Sequence, residues 1–130
     1  MAIKTDIGAY KKIPASYFQK LQLRIATIVR IVKHPKNKSL YVLGLDCAAA
    51  DEDMQVVAKL ADSHKMEQLI GKQTIVLCNL RPTEVQGIES DGVLLTSFKG
   101  KKPVLISPQT PTPSGGRVSL LGATETAFKG

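Results

Sequence analysis

The chain is 130 residues long, enough for one ordinary domain with its own core and too short for two full catalytic lobes. Hydrophobic residues make up 43% and charged residues 22%, which excludes wholesale disorder and a fibrous protein. The net charge of +7 is unevenly spread: residues 1–42 carry nine Lys or Arg against Asp6 alone, residues 43–70 two against six acids, and residues 71–130 seven against four. A basic N-terminal third points to an anionic partner, nucleic acid before a membrane surface, since no basic amphipathic helix is legible.

No apolar run is long enough to span a bilayer, and Lys4, Asp6, Lys11 and Lys12 interrupt the start before a signal-like stretch develops. Residues 1–13 lack periodicity and read as an arm. Pro14 at an early helical position, with Ala15, Tyr17 and Phe18, predicts a short helical turn. Residues 21–33 alternate, with Leu21, Leu23, Ile25, Val29 and Ile31 expected on a buried face and Gln22, Arg24 and Arg30 on the other. Ile28 and Val32 break that alternation, as a bulged strand shared between two sides of a barrel would.

Residues 34–39, His-Pro-Lys-Asn-Lys-Ser, form a turn before a second strand over residues 40–47. A polar connection over residues 48–53 leads to a third strand at residues 55–58. A short helix over residues 63–70 follows, capped by Asp62 or Ser63, stopped by Gly71 and carrying a solvent-facing His64. A fourth strand covers residues 73–78, turns occupy 79–91, and a fifth strand covers 92–98. Gly100 marks a hairpin into Val104, Leu105 and Ile106; residues 107–116 are loop, and a short apolar piece around residues 118–121 closes the pattern. Three strands, one helix and two further strands make the order of an OB-fold: an all-β, five-stranded Greek-key barrel with one short helix between strands three and four.

Cys47 and Cys78 sit in apolar, strand-like segments with no Cys or His nearby at ligand spacing, and read as buried reduced thiols suited to a reducing cytoplasm, with a disulfide as the lesser alternative. His34 and His64 are the only imidazoles, and no glycine-rich phosphate loop occurs. An enzyme, a metal site and a cofactor are therefore not expected.

Two stretches are more specific than the strand pattern. One is Leu23-Arg24-Ile25-Ala26-Thr27-Ile28-Val29, followed by His34-Pro35 and Leu40-Tyr41-Val42. The other runs from Gly71-Lys72-Gln73-Thr74 through Leu77-Cys78-Asn79-Leu80-Arg81-Pro82 and on through Gly87-Ile88-Glu89-Ser90-Asp91-Gly92. In order and spacing they resemble the tRNA-binding domain shared by the endothelial monocyte-activating polypeptide II family, the C-terminal extensions of methionyl-tRNA synthetases and small free-standing bacterial tRNA-binding proteins.

The resemblance covers residues 21–118. It implies an OB-barrel that binds tRNA by shape and backbone without sequence selectivity and presents it to a methionyl- or tyrosyl-type synthetase. It also implies a homodimer joined by residues 1–20 and the tail 119–130, because only twelve residues follow Val118. The sequence departs from the family at Ala26, where Gly is usual, at Asn37-Lys38, where Ala-Asp is usual, and at Glu84-Val85-Gln86-Gly87, where Lys-Met-Arg-Gly is usual. The last change takes two cations from, and adds an anion to, a loop the family places near nucleic acid, and Lys36 and Lys38 of the first turn, with Lys99, Lys101 and Lys102 of the late hairpin, are candidates to restore positive potential.

The candidate tRNA-binding residues are Arg24, Arg30, Lys33, His34, Lys36, Lys38, Asn79, Arg81 and Ser90, with Arg81 foremost. Competing structural roles are solvated barrel surface for Arg24 and Arg30, a turn-holding hydrogen bond for His34, and loop-holding bonds for Asn79 and Ser90. With 5% aromatic residues and no Trp, the stacking route of single-strand binders is poorly supplied, so charge and shape dominate. Two alternatives share the fold: a dimeric export-type chaperone holding unfolded peptides in an apolar groove, and a module docking on a synthetase.

Overall fold

The computed structural model describes residues 5–49 and 52–122. The parts of the expected arm, polar connection and tail that fall on residues 1–4, 50–51 and 123–130 lie outside the described residues. The architecture is mainly β. Two 3-10 turns, Ile7–Ala9 and Ala15–Lys20, precede β1 (Leu23–Lys33), β2 (Tyr41–Asp46), β3 (Met54–Ala58), α1 (Met66–Leu69) and β4 (Gln73–Leu77). Five short strands follow: β5 (Thr83–Val85), β6 (Ile88–Ser90), β7 (Val93–Leu94), β8 (Thr96–Lys99) and β9 (Lys102–Leu105). The main sheet has the order β3-β2-β1-β4-β7 and is antiparallel throughout.

β1 makes the barrel possible because its two halves serve different neighbours. Residues Leu23 to Thr27 pair with β4, and residues Thr27 to Lys33 pair with β2. Between Ile28, opposite Leu45, and Arg30, opposite Gly44, the register slips at Val29. This bulge bends the strand and shifts its inward phase. Ala26 and Ile28 before it lie in the core and Ile31 after it packs against that core, whereas Val29, expected inside, is 44% exposed. Leu21, also expected inside, precedes the strand and lies in the open.

Along the first half of β1 the edge away from β4 is taken by residues 115–118. Gly115 N–H donates to Ile25 O (2.7 Å), Ile25 N–H to Gly116 O (2.8 Å) and Val118 N–H to Leu23 O (2.9 Å). The close approach needs glycine: Gly115 has φ +86°, and a β-carbon there would collide with the Cys47 carbonyl.

The sheet closes on itself between β3 and the start of β7, giving a nearly closed OB-barrel. Asp91 N–H donates to Gln55 O (2.8 Å), and the Gln55 side-chain amide donates to Glu89 O (2.8 Å). Ser90, 6% exposed, accepts from Val57 N–H (2.9 Å) while its hydroxyl donates to Gly92 O (3.3 Å). Inside lie Ile28, Leu43, Leu45, Val56 and Val76, with Leu69 of α1 packed against them. Full burial stabilises each such side chain by about 1.5–3 kcal/mol.

Three boundaries differ from the sequence reading. The helix starts at Met66, not Ser63, because the Ser63 hydroxyl is engaged by His64 Nδ1 (2.7 Å) and Leu60 O (3.3 Å); Gln68 Oε1 instead accepts from Lys65 N–H (2.8 Å). Gly71, at φ +80°, ends the helix as expected and donates its N–H to Ile28 O (2.7 Å). His64 precedes the helix and is half-buried rather than solvent-facing, its carbonyl accepting from Tyr41 Oη (2.7 Å).

Residues 79–91, read as turns, contain the β5–β6 hairpin, and the single fifth strand over 92–98 divides into β7 and β8. The hairpin strands are three residues each, too short for a period-2 signal. Ser90→Ala would leave the Val57 amide without its acceptor at the barrel seam. It is expected to lower the unfolding free energy by about 1–3 kcal/mol, read as a shifted urea midpoint.

Candidate nucleic-acid interface

The turn after β1 is organised by its histidine. His34 is 4% exposed; its Nδ1 accepts from Lys36 N–H (3.0 Å), which leaves Nε2 to carry the proton and donate to Val85 O (2.9 Å). One neutral imidazole thus joins the turn to the β5–β6 hairpin. Asn37 Oδ1 accepts from Ser39 N–H (2.9 Å), and Leu40 N–H donates to Asn37 O (3.2 Å), so the turn is held from within. Lys36 and Lys38 project from it, both exposed.

The hairpin turns through Gln86 (φ 49°) and Gly87 (φ 90°), the paired left-handed residues of a type I′ connection. The Lys36 ammonium stands 3.7 Å from where a β-carbon on Gly87 would be, so the two loops abut at that point. Across the hairpin Glu84 faces Glu89, and both are exposed. Like charges directly opposite repel, and here they also oppose the cations of the neighbouring turn.

Arg30 and Lys33 continue the cationic surface down β1, both exposed. Arg30 lies flat over Gly44 of β2: a β-carbon on that glycine would fall 2.9 Å from Arg30 Cζ. Arg81 is exposed at the entrance to the hairpin, two residues beyond Asn79.

The remaining candidates carry internal hydrogen bonds. Arg24 donates to Gly115 O (3.3 Å) and Gln22 Oε1 (3.0 Å), bracing the segment beside β1. Asn79 Oδ1 accepts from Gln22 N–H (3.0 Å) and its Nδ2 donates to Lys20 O (2.7 Å), tying the end of β4 to the chain before β1. His34 and Ser90 are buried. Arg30, Lys33, Lys36 and Lys38 are thus exposed along one strand end and its turn, Arg30 and Lys33 on opposite faces of the strand, with Arg81 at the far end of the adjoining hairpin.

The late-hairpin cations Lys101 and Lys102 line other surfaces. Lys102 lines an open groove of about 730 Å³ with Lys72, Gln68 and His64, against α1. Burial, and then the Lys102 ammonium, push the His64 imidazole below its ordinary pKa. Among the described residues no three His, Cys, Asp or Glu side chains are grouped to hold a metal ion, and no helix is long and apolar enough to cross a membrane.

Residues 23–117 match the model of the family described as "Putative tRNA binding domain". The chain belongs to the tRNA-binding domain family. It is 39% identical over 101 residues to a methionine–tRNA ligase of Archaeoglobus fulgidus, a match covering 78% of this chain and 15% of that enzyme. It is 41% identical over 99 residues to that of Methanococcoides burtonii, covering 75% and 14%. The chain thus spans about one-seventh of the length of these relatives, and the match is to a binding domain rather than to a whole ligase.

Among solved structures it is similar to a MetRS-related protein from Pyrococcus horikoshii, with TM-score 0.74, 29% identity and coverage of 84% and 99%. It is also similar to the chaperone CsaA from Bacillus anthracis, with TM-score 0.72, 25% identity and coverage of 84% and 100%.

The turn-holding bond expected of His34 is present, but the β5–β6 hairpin and the second bond by which this imidazole anchors it escaped the sequence reading. Only the Gln86-Gly87 pair between two β-branched residues signalled the turn. His34→Ala would release the hairpin from the turn. Amide exchange at Lys36 and across residues 83–90 is expected to accelerate by about tenfold or more, while β2 and β4 amides keep their protection.

Proposed function

We propose that this domain binds tRNA through its phosphate backbone and overall shape, without base selectivity, and presents it to a methionyl- or tyrosyl-type aminoacyl-tRNA synthetase in the cytoplasm. The observation that carries this reading is the cationic strand end and turn, clamped by His34 against a hairpin whose tip meets Lys36. Arg30, Lys33, Lys36, Lys38 and Arg81 are the phosphate contacts in this proposal; Arg24, His34, Asn79 and Ser90 hold the scaffold that positions them. Each neutralised phosphate releases condensed counterions, so affinity depends steeply on salt. The domain itself performs no chemistry.

Dimerisation through the arm is part of the same proposal. Ile7, Tyr10, Ile13 and Tyr17 are between 51% and 83% exposed, an apolar series that a second copy would cover. A solution mass of two chains supports it, and a monomer at micromolar concentration contradicts it.

A second reading, peptide capture as by an export-type chaperone, is favoured by one feature. A groove of about 850 Å³ opens between β3 and the β8–β9 hairpin, lined by Val57, Val93, Leu94, Phe98 and Leu105. The structural likeness to CsaA gives that groove its interest.

Gel shifts with bulk tRNA in a salt series distinguish the two readings. For RNA binding, about five contacts imply that affinity falls by roughly two to three orders of magnitude between 50 and 200 mM salt. No retention of tRNA at low salt, together with capture of an unfolded peptide, selects the chaperone reading. Arg81→Glu is expected to weaken tRNA binding by about tenfold with the melting temperature unchanged, and an unaltered affinity removes Arg81 from the interface. Glu84→Lys relieves the repulsion from Glu89 and supplies a cation, so tighter tRNA binding with a salt slope steeper by about one unit is expected.

A further inference from the structure

The groove of about 730 Å³ beside α1 is separate from the cationic turn, and hydrogen bonds hold its sides in place. One side is residues 107–111, a stretch anchored at both ends. Before it, the fully buried Thr74 hydroxyl donates to Ile106 O (3.1 Å) and Ile106 N–H donates to Leu95 O (3.1 Å). Beyond it, Gln73 Nε2 donates to Thr112 O (2.6 Å) and Gln73 Oε1 accepts from Thr112 N–H (3.0 Å). Pro108 and Pro111 restrict the backbone between these anchors. β9 supplies a second side. Leu69 and Lys72 supply a third, where Ile28 N–H donates to Lys72 O (2.9 Å) and Lys72 N–H donates to Leu69 O (3.0 Å).

The lining sorts by chemistry. Lys72 and Lys102 are exposed cations, and among the described residues that line the groove none is Asp or Glu. Burial, and then the Lys102 ammonium, keep the His64 imidazole uncharged at neutral pH, so the positive charge is that of the two lysines. Ser107, Gln109 and Thr110 add exposed hydroxyl and amide groups, while Pro103, Val104 and Pro108 add apolar surface. The volume lies within the roughly 300–1,000 Å³ of sites that enclose small ligands. Cations, apolar faces and hydrogen-bonding groups side by side match the phosphates, bases and riboses of a nucleotide chain.

We propose that this groove is a second RNA subsite that takes a single-stranded stretch, with its phosphates on Lys72 and Lys102 and its bases against Pro103, Val104 and Pro108. Ser107, Gln109 and Thr110 meet the ribose hydroxyls and base edges. Bases reach an apolar wall only when unpaired, because a duplex keeps their faces stacked inside and presents its backbone. Thr27, opposite Gln73 at the groove, is separated from Lys33, at the cationic turn, by about 20 Å of β1. A folded RNA with paired and unpaired parts spans that distance, and a mononucleotide does not. The source of the strand rests on the tRNA reading; the chemistry of the groove does not. With no aromatic ring but His64 in the lining, binding of a short strand is expected to be modest and salt-dependent.

The test follows backbone amides of the full nitrogen-15-labelled chain by NMR at low salt. An unstructured oligouridylate, raised to millimolar concentration, is expected to shift Lys72, Gln73, Lys102, Val104 and Thr110 saturably. A fully paired RNA duplex should shift Lys36 and Lys38 and leave those groove amides in place. Lys72→Gln combined with Lys102→Gln should weaken oligouridylate binding by about tenfold and flatten its salt dependence by about 0.7 unit per lysine, at a matched melting temperature. In gel shifts the same variant should also bind tRNA less tightly. Groove amides that stay still, that move equally with the duplex, or that pyrophosphate shifts as tightly as oligouridylate would overturn the proposal, as would a variant that binds like the original chain. Oligouridylate in the groove without retention of tRNA would instead remove the tRNA reading and leave the single-strand site standing.

Discussion

A five-stranded sheet of this size hides its edges only by bending back on itself, and β1 is the strand that bends. Its bulge at Val29 separates a half that pairs with β4 from a half that pairs with β2. Ahead of it Ala26 and Ile28 face the core; without the extra residue that set would continue to Arg30, whereas with it Ile31 packs inward and Arg30 is exposed. The barrel seam between Gln55, Ser90 and Asp91 then has only a narrow gap to cross, which a few backbone and hydroxyl bonds suffice to join.

The surface follows from that bend. Past the bulge Arg30 is exposed on the outer face of β1, and Lys33, Lys36 and Lys38 are exposed at the strand end and in the following turn. Gly44 on β2 is part of the outer surface although it bears no charge, since its missing side chain gives the Arg30 guanidinium room to lie along the sheet. The acids of the β5–β6 hairpin, Glu84 and Glu89, moderate the positive charge of the neighbouring turn. This domain therefore carries a weaker positive field at the hairpin than a Lys-Met-Arg run would give it.

Much of the barrel was legible in the sequence because long elements declare themselves by period. β1 to β4 appear within a residue or two of their expected ends, the helix stop at Gly71 is real, and the hairpin around Gly100 stands where its glycine marked it. What escaped was set by contacts across the chain. Ser63 cannot cap the helix because His64 and Leu60 engage its hydroxyl, and Val29 is exposed because its neighbour Ile28, in phase with Ala26, is the residue that faces the core. The candidate interface was legible as a list of basic and polar residues but not as a division of labour. Nothing local distinguishes Arg30, lying free on the sheet, from Arg24, which braces residues 115–118.

His34 carries a consequence beyond its two hydrogen bonds. Since one buried ring fixes the turn and the hairpin to each other, the two loops behave as a single rigid body whose conformational entropy is surrendered during folding. A polyanion arriving at such a preorganised surface has little left to order, so its association is governed by electrostatic steering and diffusion rather than by loop closure. A looser pair of loops bearing the same charges would meet the same ligand more slowly and release it sooner.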